Sequence, residues 1–278
     1  MPLRTYVQSL IGKLPKSVLY EVFYQSARAL GVQSYGANGS AGCFFGPLYD
    51  QSVTKVYLQK GAWSGNIVTL FQRFFGEQGG TMYDIGANIG LISIPIARIT
   101  GVRVVAFEPD PHNCALLRAN IAYAGASVEV VNAAVSDTVG ELRFTRSDYN
   151  SGDHRLSDDG TVSVKSVTLN SYPPPSGLFA VKIDTQGAEP LIIKGGKQVL
   201  KNAGMIVAEF WPWGMRRMGL EPDGLIAFAE RYFDRGLVLH HDQSAGEYLP
   251  IAEVIGYLRK IMAAGDEYDS ADLVLIRP

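Results

Sequence analysis

The chain has 278 residues, 47% of them hydrophobic and 19% charged, which suits one large domain with a sizeable core and excludes a disordered polymer. A formal net charge of −2 argues against long, non-specific contact with nucleic acid, which would need a broad basic face, while leaving room for a local basic patch. The two cysteines, Cys43 and Cys114, are too few for a disulfide framework and lack metal-ligand spacing, so they read as buried or half-buried thiols in a reducing compartment.

The start, Met1 to Tyr20, has neither the apolar core nor the cleavage signal of a secretory leader. No run reaches the roughly 18 apolar residues of a membrane span. A cytoplasmic protein is the expectation.

The chain divides near residue 80. Residues 1–80 read as an N-terminal helical cap or extension, because Val18, Val22 and Phe23 fall at helical spacing, as do Ile67, Leu70, Phe71, Phe74 and Phe75. The glycine-rich stretch between them, Gly31 to Gly46, reads as turns. Gly79-Gly80 punctuates the boundary, and residues 81–278 read as a separate α/β domain.

From there strands and helices alternate, the mark of a parallel sheet. The first strand is Thr81 to Ile85, followed by a helix from about Ile89 to Ile99 in which Pro95 should cost a hydrogen bond or bend the axis. The second strand is Val102 to Phe107. Its helix opens at Pro109-Asp110-Pro111 and closes at Gly125. The third strand reads as Val128 to Val135. Two β-like pieces follow, Glu141 to Thr145 and Thr161 to Val167, on either side of a loop rich in Ser, Asp and Gly.

Leu178 to Ile183 is the fourth strand, with a helix to about Asn202, and Met205 to Phe210 the fifth. A helix then places Leu225, Phe228, Ala229, Tyr232 and Phe233 on one face. Leu237 to His240 and Leu273 to Ile276 close the chain as an antiparallel pair. The pattern predicts a doubly wound α/β fold with a mostly parallel, seven-stranded sheet.

The loop Asp84-Ile85-Gly86-Ala87-Asn88-Ile89-Gly90 joins the first strand to its helix, where glycines permit a tight turn and close backbone approach to a ligand. Glu108 ends the next strand, where a carboxylate accepts hydrogen bonds from ribose hydroxyls. The pair points to a nucleoside-containing cofactor. A dinucleotide is disfavoured, since Asn88 and Leu91 stand where G-x-G-x-x-G has its second and third glycines. Asp84 adds negative charge beside the loop, which suits the sulfonium and ammonium of S-adenosyl-L-methionine better than a diphosphate.

These residues are similar to those of the FkbM family of methyltransferases. The Asp84–Gly90 stretch looks like that family's cofactor loop, and Phe107-Glu108-Pro109-Asp110-Pro111 like its ribose-binding turn. Asn132-Ala133-Ala134-Val135-Ser136-Asp137 resembles its third-strand segment near the adenine. Val167-Thr168-Leu169-Asn170 and Val181 to Glu189 (VKIDTQGAE) resemble two further blocks. The likeness covers about residues 81 to 211 and implies a Rossmann-like class I methyltransferase that uses S-adenosyl-L-methionine. Two departures stand out: members often carry an acid where Gln186 stands and an aspartate where Asn170 stands.

The cofactor residues so implied are Asp84, Gly86, Ala87, Asn88, Gly90, Glu108, Pro109, Ala134 and Asp184. Asp184 and Glu209 end neighbouring strands in the inferred order and should face the same crevice, where a carboxylate within about 3 Å of an alcohol can hold or remove its proton. Asp184 is the first catalytic candidate and Glu209 the second. Asp184 also reads as a cofactor-positioning or helix-capping residue, and Glu209 as a structural hydrogen-bond partner. Two carboxylates are too few to assign Mg²⁺, so the metal requirement stays open.

Lys182 reads as structural, and Glu189 as a helix start whose charge suits the dipole. Trp211 and Trp213 follow Glu209; their faces suit either a sugar or apolar acceptor or the rim of the core. His154, alone in a polar loop, reads as solvated, though that loop could cover the site. His240 and His241 receive no role.

The resemblance implies O-methyl transfer to a hydroxyl of a sugar, glycolipid or secondary metabolite. The acceptor is a small-molecule or glycan hydroxyl, with no nucleic-acid partner and no membrane span expected. The Asn/Asp-Pro-Pro-Tyr/Phe motif of many N-methyltransferases is absent, since Asp184-Thr185-Gln186-Gly187 follows the fourth strand. The alternatives are a non-catalytic cofactor-binding protein of the same fold and a nicotinamide-dependent oxidoreductase. Position and an aromatic helical face lead to the expectation that residues 1–80 pack over the crevice and help choose the acceptor.

Overall fold

The computed structural model describes residues 14–240, 246–267 and 269–277. Ahead of the predicted domain it places α1 (Lys16–Ala29), the strands β1 (Ser34–Gly39) and β2 (Gly42–Pro47), α2 (Val53–Lys60) and α3 (Gly65–Phe75). The first alternating units are β3 (Gly80–Ile85), α4 (Ser93–Ala97), β4 (Val102–Phe107), α5 (Pro111–Ala124) and β5 (Val128–Val131). Four short strands follow: β6 (Ala134–Val135), β7 (Gly140–Thr145), β8 (Arg155–Leu156) and β9 (Val162–Val167). The chain then returns through β10 (Phe179–Ile183), α6 (Glu189–Leu200), β11 (Met205–Phe210), α7 (Pro212–Arg217) and α8 (Asp223–Tyr232). It ends with β12 (Arg235–Leu239), β13 (Leu249–Pro250), α9 (Ile251–Ala264) and β14 (Ala271–Ile276).

The central sheet runs β13-β12-β14-β11-β10-β3-β4-β5. Strands β3, β4, β5, β10 and β11 are parallel, and β14 is antiparallel to both β11 and β12. This is the doubly wound α/β fold of the Rossmann-like class; the two-residue β13 adds an eighth, edge strand to the seven expected. Alternation along each strand sends neighbouring residues to opposite faces. Tyr83, Val181 and Ile206 enter the core under α6, α8 and α9, while Met82, Ala180 and Val207 enter the core with α3 and α4. With both faces covered, β10 is buried at every residue.

Several local expectations are corrected. The glycine-rich stretch is an antiparallel hairpin, β1–β2, rather than a series of turns. Its glycines serve close packing: a Cβ on Gly46 would meet Thr54 Oγ1 at 2.1 Å, and one on Gly39 would meet the Tyr57 ring at 2.5 Å. The segment before residue 80 is therefore helix and hairpin together. In α1, Val18, Val22 and Phe23 are exposed, whereas Tyr20 and Ala27 are buried; spacing set the helix but not its inward face.

The helix after the glycine loop is only Ser93–Ala97, and Pro95 lies in its first turn, where no amide hydrogen is required. The third strand is two. After Val131 the Ala133 amide donates to Val131 O at 3.0 Å, and the chain leaves the central sheet to pair β6 with β9 in a second sheet of order β6-β9-β7-β8. Asn132 fixes this crossing by donating to Glu108 O and Pro109 O at 2.8 and 3.0 Å.

Helix α5 conforms to its sequence signals. Asp110 caps it by accepting from His112 N and Asn113 N, and Gly125 ends it at φ 62°. Both cysteines are free thiols, Cys114 buried and Cys43 half-buried.

Candidate active site

The order of the parallel strands reverses between β3 and β10, and a crevice at such a switch point lies beyond the strand carboxyl ends. A cavity of about 280 Å³ occupies this place. Of the sequence-predicted site residues, Gly86, Ala87, Asn88, Glu108, Pro109, Ala134, Asp184 and Glu209 line it. Asp84 and Gly90 stand behind the wall. Asp84 is fully buried, accepts a hydrogen bond from Ser93 Oγ, and lies 3.6 Å from Lys182 Nζ. Gly90 (φ 93°) lets the loop pass Leu117, whose Cδ1 would be 2.6 Å from an added Cβ.

At one end of the cavity Glu108 organises the glycine loop. Its two oxygens accept from Asn88 N at 2.8 Å and Asp110 N at 2.9 Å, so each keeps acceptor capacity. Burial pushes its pKa up to about 7 against the pull of those amides. Gly86 (φ 82°) tolerates no side chain, because Asp184 O would lie 1.9 Å from its Cβ. Asn88 and Gln186 are non-glycine residues with left-handed φ, 51° and 60°, and both line the cavity. The Oδ1 atoms of Asn88 and Asn113 are buried without a hydrogen-bond partner and belong to the same wall.

At the other end Lys182 is buried at the centre of the carboxylates. It donates to Gly86 O at 3.0 Å and lies 3.2 Å from Asp184 Oδ2. Burial works against its charge, but Asp184 and Asp84 outweigh that and hold its pKa above the ordinary lysine value. Lys182, read as structural from the sequence, holds Gly86 O and Asp184 in place and also lines the cavity. Gln186 Nε2 donates to Asp184 Oδ1 and to Glu209 Oε2, both at 3.0 Å. An amide here bridges two carboxyls that an acid at this position would repel.

Burial first, then Asp184, Glu189 and Asp272, push Glu209 well above the usual carboxylate range. Asp272, opposite Glu209 on β14, is raised to about 7 by burial and by Asp184. Glu189 does open α6, as expected, but it is fully buried and accepts from Thr185 N and Oγ1 at 2.9 Å. Among the described residues no group of three or more His, Cys, Asp and Glu is placed to hold a metal ion.

The roof of the cavity comes from two segments far apart in sequence. Asp50, fully buried, caps α2 through Ser52 N, Val53 N and Thr54 N, and accepts from Ser151 Oγ at 2.8 Å. Asn88 Nδ2 donates to Ser151 O at 3.0 Å, tying that loop to the glycine loop. Ser52, Val53 and Trp63 line the cavity beside Ser151, His154 and Arg155.

His154 is not the solvated histidine read from sequence. It is 8% exposed, and burial lowers its pKa, so it is neutral near pH 7. Its Nδ1 accepts from Ser147 N at 3.0 Å, which leaves the proton on Nε2, 3.3 Å from the Tyr49 hydroxyl. Asp50, Ser151, Gln186 and Arg155 escape sequence reasoning; only the departure at Gln186 marks one of them beforehand.

His240 meets the Tyr257 hydroxyl at 2.9 Å, away from the cavity, and His241 lies outside the described residues. No helix among the described residues is long and apolar enough to cross a membrane.

A switch-point crevice with a glycine loop and a strand-end acid, set in a mostly parallel sheet, defines a Rossmann-like protein. Residues 84–234 match the methyltransferase FkbM domain, and the chain belongs to that family. The hexuronic acid methyltransferase AglP of Haloferax volcanii is 26% identical over 140 residues, covering 48% of this chain and 56% of that protein. The chain thus matches little more than half of that relative's length.

Solved structures are more distant. A Pyrococcus horikoshii protein described as a transferase is 12% identical, with TM-score 0.48 over 93% of this chain and 84% of its own. The tRNA (uracil-54, C5)-methyltransferase of Pyrococcus abyssi, solved with S-adenosyl-L-homocysteine, is 12% identical, with TM-score 0.43 over 87% and 44%. Nothing about chemistry follows from likenesses this remote.

Proposed function

We propose that this chain transfers the methyl group of S-adenosyl-L-methionine to a hydroxyl of a sugar-type or other small-molecule acceptor. The observation that carries the reading is one cavity joining the glycine loop and Glu108 at one end to Lys182, Asp184, Gln186 and Glu209 at the other. The carboxyl oxygens of Glu108, Asp184 and Glu209 line the cavity with acceptors, which fits the hydroxyls and ammonium of this cofactor better than a diphosphate. Glu108 and the unpartnered Oδ1 atoms of Asn88 and Asn113 are acceptors for ribose hydroxyls. When bound, the cofactor supplies an electrophilic methyl carbon on a positively charged sulfur.

The chain's own work is positioning and proton handling. Asp184 has a side chain 41% exposed, so an acceptor can reach it. Lys182 and Gln186 hold its two oxygens, and its carboxylate takes the hydroxyl proton. Glu209, raised by burial, is the poorer base near neutrality and anchors Gln186. The printed name of the Haloferax relative supports a sugar-type acceptor.

Calorimetric titration with S-adenosylmethionine, S-adenosylhomocysteine and NADH tests the cofactor. Binding of the first two, weakened by about 1–3 kcal/mol in Glu108→Ala, is the expected result. Binding of NADH alone would turn the reading to a nicotinamide enzyme. Tight S-adenosylhomocysteine binding with no turnover on any acceptor would make the chain a non-catalytic binding protein.

A further inference from the structure

The cavity is polarised. Its floor carries Asp184 and Glu209 around Lys182, while beside the β7–β8 loop it meets arginines. Arg155, on β8, lines the cavity and lies 3.3 Å from Asp153 Oδ2. Arg217, at the end of α7, approaches the other oxygen of Asp153 at 3.7 Å. Two guanidinium groups from separate elements therefore share one carboxylate, neither in a close bidentate pairing, and the cluster keeps a net positive charge.

Arg217 is already ordered: its guanidinium lies 4.9 Å from the Trp211 ring centroid and 4.8 Å from that of Trp213. Burial and the neighbouring Arg155 disfavour its charge, so a further anion at this place would relieve both arginines. Arg155 lines the same cavity as Asp184 and Glu209, which sets the cluster on the wall that also carries those carboxyls.

We propose that Arg155 and Arg217 bind a carboxylate of the methyl acceptor. The proposal rests on the methyltransferase reading of the cavity and narrows the acceptor to an acidic sugar or similar carboxylated molecule. Charge then sets the orientation. The carboxylate is drawn to the arginines and repelled by Asp184, so the oxygen presented to Asp184 is an uncharged hydroxyl. Asp153 is the internal competitor that occupies the arginines until the acceptor arrives.

The test is calorimetric titration of the full chain, saturated with S-adenosylhomocysteine, using methyl glucuronide, methyl glucoside and glucose 6-phosphate. The glucuronide should bind about tenfold more tightly than the glucoside, the size of one charge-assisted hydrogen bond. Arg155→Gln and Arg217→Gln should each erase most of that preference, weakening glucuronide binding several-fold more than glucoside binding. Asp153→Asn should strengthen glucuronide binding, an opposite sign that a merely structural role for the cluster would not produce.

Equal binding of the two glycosides, binding of neither, or a preference untouched by the arginine variants overturns the proposal. Preference for the phosphate overturns the carboxylate assignment. If S-adenosylhomocysteine itself does not bind, the cofactor reading fails separately, and the same glycoside comparison on the free chain still decides the arginine site.

Discussion

The floor and the roof of the cavity are built by different means. In the floor, Glu108, Asp184 and Glu209 each stand at the carboxyl end of a parallel strand, and neighbouring-strand register brings them together. Register sets Asp184 beside Glu209 and puts Glu108 two strands away, at the other end of the same edge, so their placement follows from the backbone of the sheet. In the roof, Asp50 and Ser151 meet across 101 positions of sequence, and one buried carboxylate holds α2 and the β7–β8 loop at once. The floor is thus preorganised by the fold, whereas the roof depends on a few polar links.

Three substitutions can break this comparison. The largest effect is expected at Asp184→Asn, which should lower kcat by about 10²–10⁴-fold while S-adenosylhomocysteine affinity stays within a few-fold. Equal losses in both would recast Asp184 as a cofactor ligand. Next comes Asp50→Ala, which strands the donors of α2 and of Ser151 and should cost about 3 kcal/mol of stability. Its signature is loss of hydrogen-exchange protection in the roof before the floor; uniform loss would mean that the two regions open together.

Asp272→Asn probes the floor's stored charge and should have the smallest effect. A carboxyl raised to about 7 by burial and Asp184 holds its proton more tightly folded than unfolded. Its contribution is full below about pH 4 and is lost as pH rises through about 7. The amide has no proton to lose, so the variant's stability relative to wild type should grow by about 2 kcal/mol between about pH 5 and about pH 8. A pH-independent difference in unfolding midpoints would show that Asp272 is not raised.

Much of the floor was legible because its signals are local. The glycine loop follows a strand, Glu108 ends the next one, and strands β4 and β11 run as the apolar pattern predicts. Legibility failed where glycine had two meanings. Gly39 and Gly46 look like turn residues, but they are strand positions kept bare for α2. It failed again at Val128–Val135, where a continuous apolar run hides a change of sheet at Asn132. His154 was misread because its burial depends on Phe144 and Tyr49, brought from other parts of the chain.

The sequence by itself determined the alternation of strands and helices, the parallel core strands and the acids at their ends. Periodicity and capping act within a few residues and can be read in one dimension. Only the tertiary structure decided that Lys182 is shared by Asp84 and Asp184, that Gln186 bridges Asp184 and Glu209, and that Arg155 and Arg217 converge on Asp153. Those arrangements depend on charge and burial between elements distant along the chain. No local pattern encodes a distance that is set only when the elements pack.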